Sequence, residues 1–423
     1  MDRPRKTMEI TSSPSDGTPP KEADSLTLRT AKGKVPLGFV RRGEFVYLAA
    51  TGRSSLWPIE ILRSGSAQLE IEGTDRRGAT RLLVGSDERD RALRLFREKY
   101  GTTLFDRWYR SASRIVEVAL GASPPSVADA DSRYYRWLTD EFDLIAREYD
   151  RHILGNRMNR LLRDRSLAIL RPTFASARRL LEIGCGSGTE TLSLLREGHE
   201  ILAIDISEEM LEVVRAKAHT EGLSERLETR RLRAVDIAML ARDGGRGRFD
   251  GAYSTYGALN CEPDLGPVVT GLAELLPPRA AFVAGVYNRW CLFEIVGYSL
   301  VGRPGRAFAR RGRPVQVGDS RFCVDVYAHS VHDFRETFSP YFEARTVEGV
   351  PVLLPPSDLT TYAERFSRRF DRLAGWDRWM GQRWPMTALG DHFLMVLDRR
   401  DRATVALELA NGSRGTGERP RHP

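Results

Sequence analysis

The stretch LLEIGCGSGTETLSLL, residues 180–195, constrains this chain more than any other part of it. An apolar run ends in glycines at 184, 186 and 188 and is followed by residues that form a helix. Glycine takes left-handed backbone angles at no side-chain cost and lets another molecule approach bare main chain. A buried strand, a glycine turn and a helix N-terminus in that order therefore predict a ligand site in which backbone amides do much of the binding.

The spacing narrows the ligand. A dinucleotide fingerprint reads G-x-G-x-x-G and holds a pyrophosphate at the helix N-terminus. Here Gly184, Gly186 and Gly188 give a repeat one residue shorter, with Glu182 just before the turn. A carboxylate there repels phosphate and suits a cation, such as the methionine end of S-adenosylmethionine. Asp205 closes the next apolar run, ILAID, where it can accept from two ribose hydroxyls, a position that serves NAD equally well. AVDI is expected to put Asp236 at the end of a third strand, facing an adenine amino group, with Ile237 against the ring. FDGAYSTYGALN reads as a fourth strand that brings Ser254, Tyr256, Asn260 and Cys261 to the carboxyl edge of the sheet, where open α/β sheets keep their ligands. A methyl on a sulfonium is already activated, so positioning alone can carry its transfer. Tyr256 and Asn260 are the acceptor-side candidates, and no histidine among His329, His332 and His392 stands out as a base.

The rest of the chain sets the frame. At 423 residues it is long enough for two or three domains at about 150 residues each. With 41% hydrophobic and 29% charged residues it has the balance of a soluble globular protein. The net charge of +8 is spread over both halves, and no basic run alternates with aromatics as a nucleic-acid platform would require. Cys185, Cys261, Cys291 and Cys323 are scattered singly, so no zinc or other metal site and no disulfide framework is expected, which fits a reducing cytoplasm. Residues 26–120 alternate short β-type runs with turns and one helical pattern over 87–100. Residues 121–132 include the Pro- and Ser-rich GASPPSVADAD and read as a linker; from 133 to 400 strands and helices alternate, which argues for a mainly parallel sheet. Residues 1–25 and 401–423 read as flexible tails.

Residues 133–400 resemble a class I S-adenosylmethionine-dependent methyltransferase of the branch acting on small molecules and lipids. The series LLEIGCGSGT, AIDISEEML, AVDI, FDGAYSTYGALN and LAELLPPRAAFVAGV carries the likeness in order and spacing. The resemblance implies a Rossmann-like fold with a mainly parallel seven-stranded sheet. It places Glu182, Gly184, Gly186 and Gly188 at the methionine end, Asp205 and Ile206 at the ribose, and Asp236 and Ile237 at the adenine. Met210 packs near the adenosine, Tyr149 in EFDLIAREYD caps the cofactor, and Ser254 joins the set. The activity implied is methyl transfer to a small, apolar or lipid-like acceptor. The readings it competes with are an NAD-type oxidoreductase and a module that binds S-adenosylmethionine without turnover.

Residues 26–120 resemble the split-barrel family that binds flavin or deazaflavin, the pyridoxamine-phosphate-oxidase-like proteins, through LRTAKGKVPLGFVRRGEFVYLAATGRSSLWPIEILRSGSAQLEI and REKYGTTLFDRWYRSASRIVEVAL. The resemblance implies a small split β-barrel that contacts FMN or a deazaflavin through Lys32, Lys34, Pro36, Thr51, Gly52, Arg53 and Ser54, or one retained for homodimerisation. Residues 287–315, with Trp290, Phe293, Tyr298, Phe308 and five arginines from Arg303 to Arg313, read as an apolar lid with a basic rim toward a headgroup or a membrane surface.

Overall fold

The computed structural model describes residues 25–401 apart from 32, 52–56, 111, 113, 124–129, 246, 312–313, 319–321 and 357–369. The chain divides into two compact units, Met1–Ile145 with Val317–Val324, and Ala146–Gln316 with Asp325–Pro423. Most of the expected linker, both expected tails, and Lys32, Gly52, Arg53 and Ser54 lie outside the described residues.

In the first unit, β1 (Ser25–Thr30), β2 (Gly33–Arg42), β3 (Phe45–Ala50), β4 (Ser66–Ile71), β5 (Thr74–Leu82) and β6 (Arg114–Leu120) close a barrel in the order β1-β2-β3-β6-β5-β4, every pair antiparallel. The period of two explains the closure. On β4, Ala67, Leu69 and Ile71 point into the barrel core while Gln68 and Glu70 face outward. The sequence reading assigns no helix between β3 and β4, yet α1 (Trp57–Ser64) forms there with Pro58 in its first turn, where the missing N–H costs nothing. It drives Trp57 and Ile61 into the barrel core. Helix α2 (Ser86–Leu104) lies where the helical pattern predicts one and buries Phe96 against Tyr100 and Tyr109. Of the residues expected at a flavin, Lys34 is paired with Glu70 at 2.9 Å and Pro36 sits opposite Thr27 in the sheet.

Helix α3 (Ala130–Ile145) also belongs to this unit. Trp137 packs with Ile59 and Cys323, and Glu141 forms a fully buried ion pair with Arg114 of β6. The same Glu141 carboxylate accepts the Cys323 backbone N–H at 3.0 Å.

The second unit is built on a seven-stranded sheet. Its strands are β7 (Arg179–Ile183), β8 (Glu200–Asp205), β9 (Leu227–Arg231), β10 (Gly251–Ser254) and β11 (Ala281–Tyr287), then, after two short strands β12 (Val315–Gly318) and β13 (Cys323–Val326), β14 (Phe342–Val350) and β15 (His392–Arg399). The order is β14-β15-β11-β10-β7-β8-β9. The first five strands run parallel, and β15 lies antiparallel between β11 and β14. Helices on both faces explain why β7, β8 and β10 read as unbroken apolar runs. From β7 the chain steps outward through β8 and β9, then returns to the other side of β7 with β10. That reversal opens a crevice at the carboxyl ends of β7 and β10.

Breaking a fully buried ion pair on one side leaves a charge without compensation and costs about 3–5 kcal/mol. Arg114→Met is therefore expected to speed hydrogen exchange across β3 and β6 of the barrel while leaving β7 and β8 protected. Unchanged exchange in the barrel would show that the pair contributes nothing.

Candidate functional site

The glycine turn lies in that crevice, between β7 and helix α6 (Thr189–Arg196). Gly184, Gly186 and Gly188 all have left-handed angles, φ 71°, 52° and 81°. A Cβ at Gly184 would fall 2.3 Å from the Ala258 Cβ, whereas at Gly186 nothing lies within 4 Å. The turn is thus tight underneath and open on its upper face.

Asp205, at the end of β8, clamps this turn. Its Oδ2 accepts the Gly186 N–H at 2.8 Å, and its Oδ1 accepts the Ser207 N–H at 3.0 Å. A carboxylate offers about four lone-pair sites and accepts hydroxyls as well as backbone amides. Ser207 in turn caps helix α7 (Glu208–Thr220) by accepting the Met210 N–H at 3.1 Å, and Lys217 of α7 donates to the Ser187 carbonyl at 2.7 Å. Ile206 is half-buried beside the clamp.

Glu182 is buried at the end of β7 and accepts the Thr191 hydroxyl at 2.5 Å. Burial pushes its carboxyl up to about 8. Arg163 of α5 (Arg157–Thr173) forms a buried ion pair with Glu190 in the first turn of α6, and its guanidinium lies 4.2 Å from the centre of the Tyr256 ring. Burial works against the charged guanidinium, and Glu190, Tyr149 and Tyr256 together more than offset it. Tyr149, which opens α4 (Tyr149–Leu154), has its hydroxyl pushed up to about 12 by burial, with Arg163 opposing and Asp205 and Glu190 adding to the rise. Tyr256 sits at φ 58°, a conformation rare for an aromatic residue, and burial raises its phenol as well. Tyr149, Arg163, Glu190, Asp205 and Tyr256 therefore share one electrostatic neighbourhood.

Sequence reasoning missed Arg163 and Glu190. Glu190 had a signal, since an acidic residue in the first turn complements the helix dipole. Arg163 is one of several arginines in RMNRLLRDR and had none.

Several expected contacts are placed differently. Asp236 does not end a strand: β9 stops at Arg231, and Asp236 sits in a short 3-10 turn over Ala234–Asp236, ion-paired with Arg233. Ile237 is fully buried in the sheet core, so close to Gly271 that a Cβ there would meet its Cγ1 at 2.5 Å. Met210 is likewise buried beneath α7. The Ser254 hydroxyl is spent on the Ile183 carbonyl at 2.8 Å, which fastens β10 to β7. Asn260 is also structural. Its amide donates to the Tyr287 and Tyr327 carbonyls at 3.1 and 2.8 Å and accepts the Tyr287 N–H at 2.8 Å, so it clasps chain ends instead of facing an acceptor. Arg310, read as part of a basic rim, is buried between Glu294 and Asp391, each at 2.6 Å, because two buried carboxylates require a cation.

Three buried polar atoms beside the turn make no hydrogen bond among the described residues: Ser187 Oγ, Arg163 Nε and Glu190 Oε1. Buried polar groups are normally satisfied, so these are groups that a ligand would complete. An open glycine face and a carboxylate at the end of β8 fit S-adenosylmethionine.

Comparison with known proteins agrees. Residues 180–279 match the family model described as a methyltransferase domain. The chain is 28% identical over 238 residues to a malonyl-[acyl-carrier protein] O-methyltransferase of Halorhodospira halophila, covering 56% of this chain and 69% of that one. It is 31% identical over 167 residues to a demethylmenaquinone methyltransferase of Beutenbergia cavernae, covering 36% and 60%. A solved 1,6-didemethyltoxoflavin-N1-methyltransferase of Burkholderia thailandensis aligns with a TM-score of 0.40 and 16% identity, over 66% of this chain and 93% of that one. With some of its relatives the chain spans about half of their length, 47% for a ubiquinone biosynthesis O-methyltransferase of Alkalilimnicola ehrlichii. The second unit thus carries a methyltransferase domain of the class that uses S-adenosylmethionine. Among the described residues no helix is long and apolar enough to cross a membrane.

The protonation of Glu182 sets a pH dependence. Its ordinary value is 4.5 and its folded value about 8, so between those pH values the folded protein keeps a proton that the unfolded chain releases. Stability then falls as pH rises through that window. Glu182→Gln is expected to remove this slope, raising the Tm of the ligand-free protein more at pH 8 than at pH 5. Equal shifts at both pH values would contradict the buried, protonated carboxyl.

Proposed function

We propose that the second unit transfers the methyl group of S-adenosylmethionine to a small, apolar or lipid-like acceptor. The observation that carries this reading is the Asp205 clamp, which holds the open glycine turn and keeps a carboxylate where a ribose would lie. When bound, the cofactor supplies a methyl group already activated by its sulfonium. The protein's own part is to orient and to exclude water. Glu182, Ser187 and the Gly186 backbone face the methionine end, Asp205 and Ile206 the ribose, and Asp236 the adenine side. Tyr149 closes over the cofactor, and Arg163 holds Tyr256 against the acceptor side of the crevice.

An apolar acceptor is supported by the helix Leu292–Leu300 and the turn after it, which expose Val296, Leu300, Val301 and Phe308, with Leu300 at 82%. Arg303, Arg306 and Arg311 are exposed beside them, a composition that suits an anionic headgroup or weak contact with a membrane surface. Two of the relatives named above are named for a malonyl-[acyl-carrier protein] and for demethylmenaquinone. For the barrel, the reading is a flavin or deazaflavin site or a homodimer contact, and a yellow chromophore in the purified protein separates the two.

Calorimetry with S-adenosylmethionine tests the binding half. Asp205→Ala should weaken affinity at least about tenfold, or about 1.4 kcal/mol. Unchanged affinity in a folded variant would remove Asp205 from the site. Incubating the protein with methyl-labelled S-adenosylmethionine and a cell extract tests turnover: label should pass into an organic-soluble small molecule. Binding without any transfer would favour a sensing module.

A further inference from the structure

The first residue of β15, His392, stands opposite Tyr287, the last residue of β11. Because β15 runs antiparallel, this brings His392 to the same carboxyl edge as the glycine turn. Its ring stacks on Tyr256, centroids 6.3 Å apart and planes 17° apart, and meets Tyr287 edge-on at 5.3 Å. The Arg163 guanidinium lies over the same Tyr256 ring, 4.2 Å from its centre. His392 thus lies one aromatic ring away from the neighbourhood of Arg163, Glu190 and Asp205.

Its other contact is with a buried carboxylate. His392 Nδ1 is 3.0 Å from Asp391 Oδ2, and Asp391 Oδ1 accepts from Arg310 at 2.6 Å. Arg310 also donates to both oxygens of Glu294, at 2.8 and 2.6 Å, and to the Asn288 and Asp391 carbonyls. Burial alone would raise the Asp391 carboxyl, but Arg310 and His392 outweigh it and hold it near 2. An ionised carboxylate at that distance calls for a proton on Nδ1, so the neutral ring keeps its lone pair on Nε2. Nε2 has no partner among the described residues, and the side chain is 12% exposed, which is enough to exchange a proton with water.

We infer that His392 is the general base of the acceptor site, oriented by Asp391 as a positioning residue, and that the acceptor atom is therefore a hydroxyl or phenol oxygen. The inference rests on the methyl-transfer reading above. Nε2 takes the acceptor's O–H proton, the oxygen's electron pair forms the bond to the methyl carbon, and the carbon–sulfur pair stays on sulfur. No oxidant or reductant enters. The imidazolium that results is stabilised by Asp391 and returns its proton to solvent. An acceptor that reacts through an already unprotonated nitrogen or sulfur would have no use for such a pair. The charged and titratable groups around the ring are Asp391 before its own strand, Tyr287 on β11 and Tyr256 after β10. Arg310 and Glu294 lie behind Asp391, and Arg163 lies beyond Tyr256.

Two measurements test this on the full chain. Nitrogen-15 NMR of histidine-labelled protein saturated with S-adenosylhomocysteine should show neutral His392 as the Nδ1–H tautomer, with Nε2 at an unprotonated shift. A proton on Nε2 in the neutral ring overturns the proposal, whatever the enzyme is found to do. His392→Gln should then lower labelled-methyl transfer to the extract acceptor by roughly a hundredfold or more, with S-adenosylhomocysteine affinity within about twofold of wild type, as loss of a general base requires. The wild-type rate should rise with pH to a plateau that the variant lacks. Wild-type turnover and pH profile in a variant that still binds S-adenosylhomocysteine would also overturn the base. If wild-type protein transfers no methyl at all, the functional reading fails, and the tautomer still decides whether the pair is built as a base.

Discussion

The second unit depends on one carboxylate. Asp205 ends β8 and takes a backbone N–H from each side, Gly186 in the turn after β7 and Ser207 at the start of α7. Two loops that share no secondary structure are thereby fixed to one strand end. Without that bridge, the left-handed glycines would sample many conformations, because glycine loses more freedom on folding than any other residue. The turn can be open above only because it is held from below. The Ala258 contact under Gly184 leaves no space for a side chain there, while Gly186 faces nothing. Positioning chemistry needs such a preformed surface, since its rate advantage comes from orientation settled before the substrate arrives.

Charge is balanced around this clamp by pairing acids with arginines at the level of single residues. Glu190 has Arg163, Asp391 and Glu294 share Arg310, and Glu182, in no ion pair among the described residues, retains a proton through burial. Part of the arginine-rich composition is thereby taken up inside the fold. Arg114, Arg163 and Arg310 are buried, each against a carboxylate. Guanidinium suits that role because its planar fork of donors matches a carboxylate and it does not lose its proton.

What was legible in the sequence follows from range. The glycine turn, the acid after ILAID and the strand–helix alternation are local patterns, so the parallel sheet and the Asp205 position could be read directly. The barrel strands were legible for the same reason, through their period of two. Residues whose role is set by distant partners were not. Asn260 looked like a side chain at a crevice, and only the return of β11 and of the segment at Tyr327 shows that its amide is used up by their backbones. Arg310 and Asp391 are 81 residues apart, and nothing local distinguishes that arginine from its neighbours. His392 opens a strand that lies antiparallel within a parallel sheet, so its place at the ligand edge follows from topology, not from motif. Helix α1 was missed because it lies within a stretch read as short β-type runs with turns, although proline is at home in a first helical turn.

The most direct measurement of the central claim is a crystal structure of the protein with S-adenosylhomocysteine. The account predicts the homocysteine portion along the open face of Gly186, both ribose hydroxyls on the Asp205 carboxylate, and the sulfur turned toward Tyr256. A ligand seated elsewhere, or one in this crevice with its ribose away from Asp205, would contradict it.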